Sequence, residues 1–391
     1  MTKRAIVTIV TRNYLAYARA LMRQCALHEP HADRFVVVAD RLPDGSAADV
    51  PDATVIHGDE LGIPRWPRFA FQYTPFELAC ALKPHAFGWL LEHLGYQAVV
   101  YLDGDMALYG PLTPVWEALL RHSLVLTPHL LRPLPDDGLR PHESVFLPVG
   151  AYNAGFLGVR NDADARAFTA WWRSMLAKHC ILDIAGGFFV DQRWLDLAPA
   201  MFPGVEVLRR FGINAGHWTL SQAMFERRAT WGISTSNVTV DGDPLLLFHF
   251  SGMTPHKPAE YLGHQTRTRL DLIPCLEALV ERYHRDVMSA GFTECSAWGC
   301  QTEHLLDGTP VKPSWREAIR REEPAFADVG DPFDTAACPE LVTRYHRIES
   351  RARGWRRDWQ LAWKRRRGIA GSVADQVRDT KRALQKLFRA A

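Results

Sequence analysis

Short, continuous apolar runs in this chain are separated by longer stretches whose apolar residues recur at helical spacing. Runs of the first kind are strands buried on both faces, and their alternation with helices predicts a mainly parallel sheet covered by helices. Ala5–Val10, Phe35–Ala39 and Thr54–Ile56 predict the first three strands, with a helix over Tyr14–Leu27 between the first two. A second helix is predicted over Phe76–His93, where Leu78, Leu82, Phe87, Leu90 and Leu91 supply an apolar face and Gly95 a stop. Ala98–Leu102 then reads as a strong buried strand. Further strands follow at Leu124–Thr127, Ala154–Val159 and Leu245–Phe250, and helices at Asp164–His179 and Asp191–Leu197. Between them, residues 128–150 hold Pro128, Pro133, Pro135, Pro141 and Pro148. A segment this long and stiff is more than a connector and is expected to form a binding loop, a lid or a structural excursion. Residues from about 265 to 343 read as an added, mostly helical and aromatic region, and no internal repeat is present.

Composition narrows the class. The chain has 391 residues, 47% hydrophobic and 23% charged, which excludes disorder, collagen-like repetition and a small disulfide scaffold. Net charge is only +2, so the whole molecule has no field suited to nucleic acid, and no nucleic-acid partner is expected. The charge is unevenly placed. Residues 344–391 carry 15 Lys/Arg against four Asp/Glu, which leaves residues 1–343 with a net charge of −9. In that basic segment Trp355, Trp359 and Trp363 recur every four residues beside Arg356, Arg357 and Lys364–Arg367. A basic amphipathic segment with indoles on one face suits an anionic membrane surface. The seven cysteines show no CxxC spacing and read as free thiols in a reducing cytosol. The amino-terminal apolar run is short, contains Thr8 and is halted by Arg12 and Asn13, so it reads as a strand rather than a signal peptide. No window approaches the roughly 18 apolar residues of a membrane span. Cytoplasmic location, peripheral on the inner face of the plasma membrane, is the expectation.

Candidate chemistry begins where Ala98–Leu102 runs into Asp103-Gly104-Asp105. Functional groups of open α/β sheets collect at the carboxyl ends of strands. Two carboxylates joined by a glycine at such an end offer hard oxygen donors for Mg²⁺ or Mn²⁺.

Six motifs then occur in order: Thr11-Arg-Asn13-Tyr14, Tyr101-Leu-Asp103-Gly-Asp105, Leu112-Thr-Pro-Val-Trp116, Tyr152-Asn153-Ala-Gly155-Phe-Leu, Asp191-Gln192-Arg-Trp-Leu195 and His249-Phe-Ser-Gly252. In this order and spacing, over about residues 5–260, the chain resembles the family 8 retaining glycosyltransferases, especially bacterial enzymes that build lipopolysaccharide outer cores. The resemblance implies a GT-A type α/β domain over residues 1–260, a helical and aromatic extension over 261–343 and the basic tail over 344–391. It implies transfer of a hexose from a nucleotide sugar, UDP-glucose or UDP-galactose, to a glycan or lipid-linked acceptor with retention at the anomeric carbon.

Residue by residue, the resemblance implies a metal held by Asp103, Asp105 and His249, with Mn²⁺ favoured over Mg²⁺ by the imidazole. Donor contacts are implied for Thr8, Asn13, Tyr14, Lys83, Asp103, Asn153, Gly155, Gly252 and Lys257. Gln192 lies beneath the anomeric carbon as electrostatic support, with Asp191 beside it, and the leaving phosphate takes the acceptor proton. The family closes with His-x-x-Gly-x-x-Lys-Pro. This chain is two residues longer before Lys257-Pro258, and the Pro-rich segment 128–150 also departs, which argues for a different acceptor. The alternatives are an inverting GT-A enzyme using Asp191 as base, a sugar nucleotidyltransferase, and a silent glycan- or membrane-binding module.

Overall fold

The computed structural model describes residues 3–43, 48–227, 236–263 and 265–350. The basic segment predicted to meet a membrane lies outside the described residues from residue 351 onward, including its three tryptophans. The described chain divides into two compact units. The first comprises Met1–Ile63 with Pro75–Gln301, and the second Pro64–Thr74 with the chain from Thr302.

The first unit is the predicted α/β layer structure, a mostly parallel sheet flanked by helices. Its strands are β1 (Arg4–Val10), β2 (Asp33–Val38), β3 (Thr54–His57), β4 (Ala98–Leu102), β6 (Leu124–Leu126), β7 (Phe156–Arg160) and Val205–Val207. They lie in the order Val205–Val207, β6, β7, β4, β1, β2, β3. All pairings are parallel except those of β7, which runs against both β4 and β6. β4 is buried at every residue and β1 at all but its first, as the unbroken apolar runs require of strands covered on both faces.

This order fixes the place of the site. From β1 the chain winds outward to β2 and β3, then returns to place β4 on the other side of β1. The strand order reverses there, so a crevice opens at the adjacent carboxyl ends of β1 and β4. β7 enters that edge from the opposite direction, so its first residues meet the last residues of β4. Leu102 is opposite Phe156, and Asp103 N–H donates to the Gly155 carbonyl at 2.8 Å. A short antiparallel ribbon completes the edge: β5 (Met106–Leu108) pairs with Leu247–His249, with His249 opposite Met106.

Two predicted strands are shorter than their apolar runs. Leu245 and Leu246 are buried, but their N–H groups donate to Val238 and Gly212 carbonyls outside the ribbon, so only Leu247–His249 is strand. Ala154 and Gly155 are likewise outside β7, because the backbone bends there to serve Asp103 and the buried polar side chains around it. The helix Pro75–Gly88 contains Pro84 and continues as a π-helical turn over Trp89–His93, spanning the predicted length. Helices Pro274–Ser289 and Phe292–Ala297, beyond residue 260, belong to the first unit. The Pro-rich segment is ordered. The buried Arg267 guanidinium donates to the Pro135 and Pro141 carbonyls and pairs with Asp137 at 2.6 Å.

The second unit has a small core of its own. Arg316, buried on helix Pro313–Arg320, donates to the carbonyls of Phe71, Tyr73 and Thr302, and Arg68 donates to those of Phe326 and Val329. Tyr345, on the helical stretch 341–350, stacks on Phe71 and Trp315. Among the described residues no helix is long and apolar enough to cross a membrane.

Candidate active site

Asp103, Asp105 and His249 come together at the sheet's carboxyl edge, each offering a ligand atom within 4.8 Å of the others. The turn between the aspartates needs its glycine: a Cβ on Gly104 would lie 2.8 Å from Val10 Cγ1 on the neighbouring strand. Asp105 Oδ1 is 2.9 Å from His249 Nε2, and Asp103 Oδ2 is 3.9 Å from the same nitrogen. Burial opposes the charge on His249, but the Asp105 carboxylate outweighs it and raises the imidazole above its ordinary value. Burial likewise works to raise Asp105, and the facing imidazole overcomes it and lowers the carboxyl.

Asp103 is divided between two tasks. Its Oδ1 accepts the Tyr101 hydroxyl at 2.5 Å and lies 3.4 Å from Lys83 Nζ, which leaves Oδ2 toward His249. Lys83 is buried on the helix Pro75–Gly88. Its ammonium sits 2.8 Å from Asp191 Oδ2, donates to the Ala154 carbonyl at 2.9 Å and stands over the Tyr101 ring. Burial works to lower the lysine, and Asp103 with Asp191 overrides it to hold the ammonium well above its ordinary value. Three carboxylates thus face one lysine and one imidazole. With His249 neutral the cluster carries two negative charges, which a divalent cation balances. The mixed oxygen and nitrogen donor set fits Mn²⁺, and Mg²⁺ less well.

No family model matches this chain. It is similar to the uncharacterized protein YfnF of Bacillus subtilis (strain 168), 29% identical over 176 residues, which is 45% of this chain and 56% of YfnF. The match thus spans little more than half of that relative's length. It is also similar to the uncharacterized protein YfnD of the same organism, 25% identical over 255 residues, which is 63% of this chain and 77% of YfnD. Among solved structures, the galactosyltransferase LgtC in complex with donor and acceptor sugar analogs aligns at 16% identity and a TM-score of 0.46, covering 73% of this chain and 95% of that one.

The remaining predicted residues divide into those gathered at this edge and those not. Thr8 is fully buried on β1, with no hydrogen-bond partner for its hydroxyl. Asn13 Oδ1 accepts the Thr11 hydroxyl at 2.6 Å and the Cys300 thiol at 3.1 Å. Tyr14 stacks on Tyr17 and feels the Asp105 charge. A Cβ on Gly155 would lie 2.5 Å from His249 Cε1, so only glycine lets the imidazole approach. Gln192 is buried with both ends of its amide in use: Oε1 accepts the Ala154 N–H at 2.9 Å and Nε2 donates to the Val149 carbonyl at 3.0 Å. Asn153 directs its amide at other side chains behind His249. Gly252 takes a left-handed backbone (φ 78°) just after the ribbon. Lys257 is not brought to the cluster. It is 61% exposed and pairs with Glu260 at 3.0 Å.

The motif that contains Tyr101 gave it no role, and the residue pattern did not single out His129, Asn214 or Trp218. His129 carried a usable signal, since it stands two residues after the strand run Leu124–Thr127, where site groups collect. It is buried between the Gly150 carbonyl and Asn153. Burial lowers His129 to about 4, with the Gly150 and Ala151 carbonyls acting the other way. The folded chain therefore keeps it neutral down to about that pH, while in the unfolded chain it takes up a proton below about 6.5. Between these values the unfolded state binds more protons, so stability falls as pH drops, with a limiting slope of roughly 1.4 kcal/mol per pH unit from this residue. His85, lowered to about 4 by burial and by Arg173, adds in the same direction. The urea midpoint is expected to fall from pH 6.5 to 4.5, and His129→Gln to flatten that fall. An unchanged pH dependence in the variant would show that His129 takes up its proton in the folded chain over the same pH range as in the unfolded one.

Proposed function

We propose that this chain is a metal-dependent glycosyltransferase of GT-A type that moves a hexose from a nucleotide sugar, UDP-glucose or UDP-galactose, to a glycan or lipid-linked acceptor with retention at the anomeric carbon. The observation that carries the reading is the Asp103–Asp105–His249 cluster at the strand-order reversal, with the Lys83–Asp191 pair beside it. A bound Mn²⁺ or Mg²⁺ supplies Lewis-acid stabilisation of the departing diphosphate. Asp105, His249 and Asp103 would hold it, Asp103 with its Oδ2, because Tyr101 and Lys83 fix its other oxygen. Asn13 and Tyr14, half-buried, follow the carboxyl end of β1, which carries the buried Thr8, and there the start of a helix and an aromatic face would receive a nucleotide.

Retention is favoured over inversion by the state of Asp191. An inverting enzyme needs a free carboxylate base. Asp191 is 1% exposed and its carboxylate is neutralised by Lys83 at 2.8 Å. Gln192, pinned at both ends of its amide, is a fixed dipole suited to steadying a cationic sugar ring rather than a nucleophile. The basic segment 344–391 would hold the enzyme at an anionic membrane surface where a lipid-linked acceptor resides.

Thermal-shift screening of nucleotide sugars with Mn²⁺ and Mg²⁺ tests the reading. A true donor at 100 times its dissociation constant stabilises the fold by about 2.7 kcal/mol and only with the cation present. The anomeric proton coupling of the product then reports retention or inversion. Absence of cation-dependent stabilisation by any nucleotide sugar overturns the proposal, as does pyrophosphate release from a sugar 1-phosphate and a nucleoside triphosphate.

A further inference from the structure

Behind His249 a chain of buried polar atoms leads away from the carboxylates to a residue in the Pro-rich segment. His249 Nδ1 lies 3.2 Å from Asn153 Oδ1. The same oxygen accepts the Gly155 N–H at 3.0 Å and an Asn214 amide N–H at 3.1 Å. These donors fix the amide's orientation, because a flipped Asn153 would turn its own NH₂ against both of them. Asn153 Nδ2 therefore points at His129 Nε2, 3.2 Å away. That nitrogen accepts only when the ring's proton is on Nδ1, and Nδ1 lies 3.0 Å from the Gly150 carbonyl, which can only accept.

Followed in the other direction, the same logic assigns the His249 tautomer. Asn153 Oδ1 is an acceptor, so His249 Nδ1 carries a proton and donates it. The lone pair of the neutral ring is then on Nε2, the atom 2.9 Å from Asp105 Oδ1. Trp218 stands edge-on to both rings, at 5.2 Å from His129 and 5.4 Å from His249, and limits their tilt. The second Asn214 N–H is bound by Thr127 Oγ1 at 2.7 Å, which anchors that donor to the end of the β6 run. These side chains come from four separate segments, around residues 127–129, 153, 214–218 and 249, so the arrangement exists only in the folded unit.

We propose that His129 and Asn214, acting through Asn153, are positioning residues that set the tautomer and orientation of His249 as a ligand for a divalent cation. The inference rests on reading Asp103, Asp105 and His249 as a cation site. It assigns Asn153 to the metal side of the site rather than to a sugar hydroxyl. Residues in this position typically affect metal affinity 10–100-fold when replaced.

The test uses the full chain and the metal ions alone. Mn²⁺ binding is followed by the paramagnetic resonance signal of free Mn²⁺, and Co²⁺ binding by its visible absorption, which reports the imidazole ligand. His129→Gln keeps an acceptor near the Nε2 position, and His129→Asn keeps a donor near Nδ1 but leaves Asn153 Nδ2 without its acceptor. His129→Asn is expected to weaken Mn²⁺ binding about 10–100-fold and to alter the Co²⁺ spectrum, whereas His129→Gln stays near wild type. In a His249→Ala chain, His129→Asn should add no further loss. Equal Mn²⁺ affinity in wild type and His129→Asn overturns the inference and leaves the cation site standing, and so does equal weakening in both His129 variants. A wild-type chain that takes up neither ion overturns the cation site and the inference together. Should His129→Asn not fold, Asn214→Ser removes a donor from the other side of Asn153 and the same weakening is expected. Unchanged affinity in that variant counts against the proposal.

Discussion

Asp105→Asn is expected to lower turnover about a thousandfold, corresponding to roughly 4 kcal/mol of lost stabilisation of the leaving group. It is expected to remove cation-dependent nucleotide binding at the same time. The substitution keeps size and supplies an amide N–H that can donate to the lone pair of neutral His249 Nε2, which lies 2.9 Å from the carboxylate oxygen in the wild type. Folding should therefore survive, with a stability change on the order of 1 kcal/mol. The contrast between a large catalytic loss and a small shift in the urea midpoint is what marks a ligand. Turnover close to wild type at modest Mn²⁺ would show that Asp105 holds no metal.

Lys83→Met is expected to produce the largest loss of stability. Lys83 is 3% exposed and Asp191 1% exposed, so removing the ammonium strands a carboxylate in the interior beside Asp103. Breaking a buried pair in this way costs about 3–5 kcal/mol, because the remaining charge has lost its partner and cannot regain water. Adding Asp191→Asn in the same chain removes that charge, and much of the stability should return. Urea denaturation of wild type, single and double variants measures this directly. A single variant within about 0.5 kcal/mol of wild type would show that Asp191 is already protonated or hydrated.

These two residues also show what could and could not be read from the chain. Asp105 was legible because the five-residue run Ala98–Leu102 leads straight into Asp103-Gly104-Asp105, and a buried strand must deliver its following turn to the sheet's edge. His249, near the end of the last strong apolar run, was named as a ligand only through the family motif His249-Phe-Ser-Gly252. Lys83 was named through its resemblance to a family position, but nothing local indicated that its ammonium is held between Asp103 and Asp191. That arrangement depends on three segments meeting after the sheet closes. Lys257 lies in a segment two residues longer than the family pattern, and it pairs with Glu260 at the surface instead of turning inward. His129 and Asn214 escaped because their chemistry is relational: each is informative only once Asn153 stands between it and His249. The architecture was more legible than the site, since buried apolar runs and helical spacing mark the strands and crossover helices, whereas hydrogen-bond partners across 61 to 96 residues of sequence leave no mark.

The second unit has a consequence for the order in which this protein is made. Its aromatic segment Pro64–Thr74 is made well before the chain beyond Thr302, where the partners of Arg68, Phe71 and the Tyr73 carbonyl lie. At ordinary elongation rates the intervening chain takes on the order of tens of seconds to appear. During that interval the first unit can complete its sheet, but Phe71 lacks Phe333 and Tyr345, the rings that pack against it. The nascent chain thus carries Phe71 uncovered until residues 333 and 345 have been made, an interval in which chaperones and elongation speed bear on its yield.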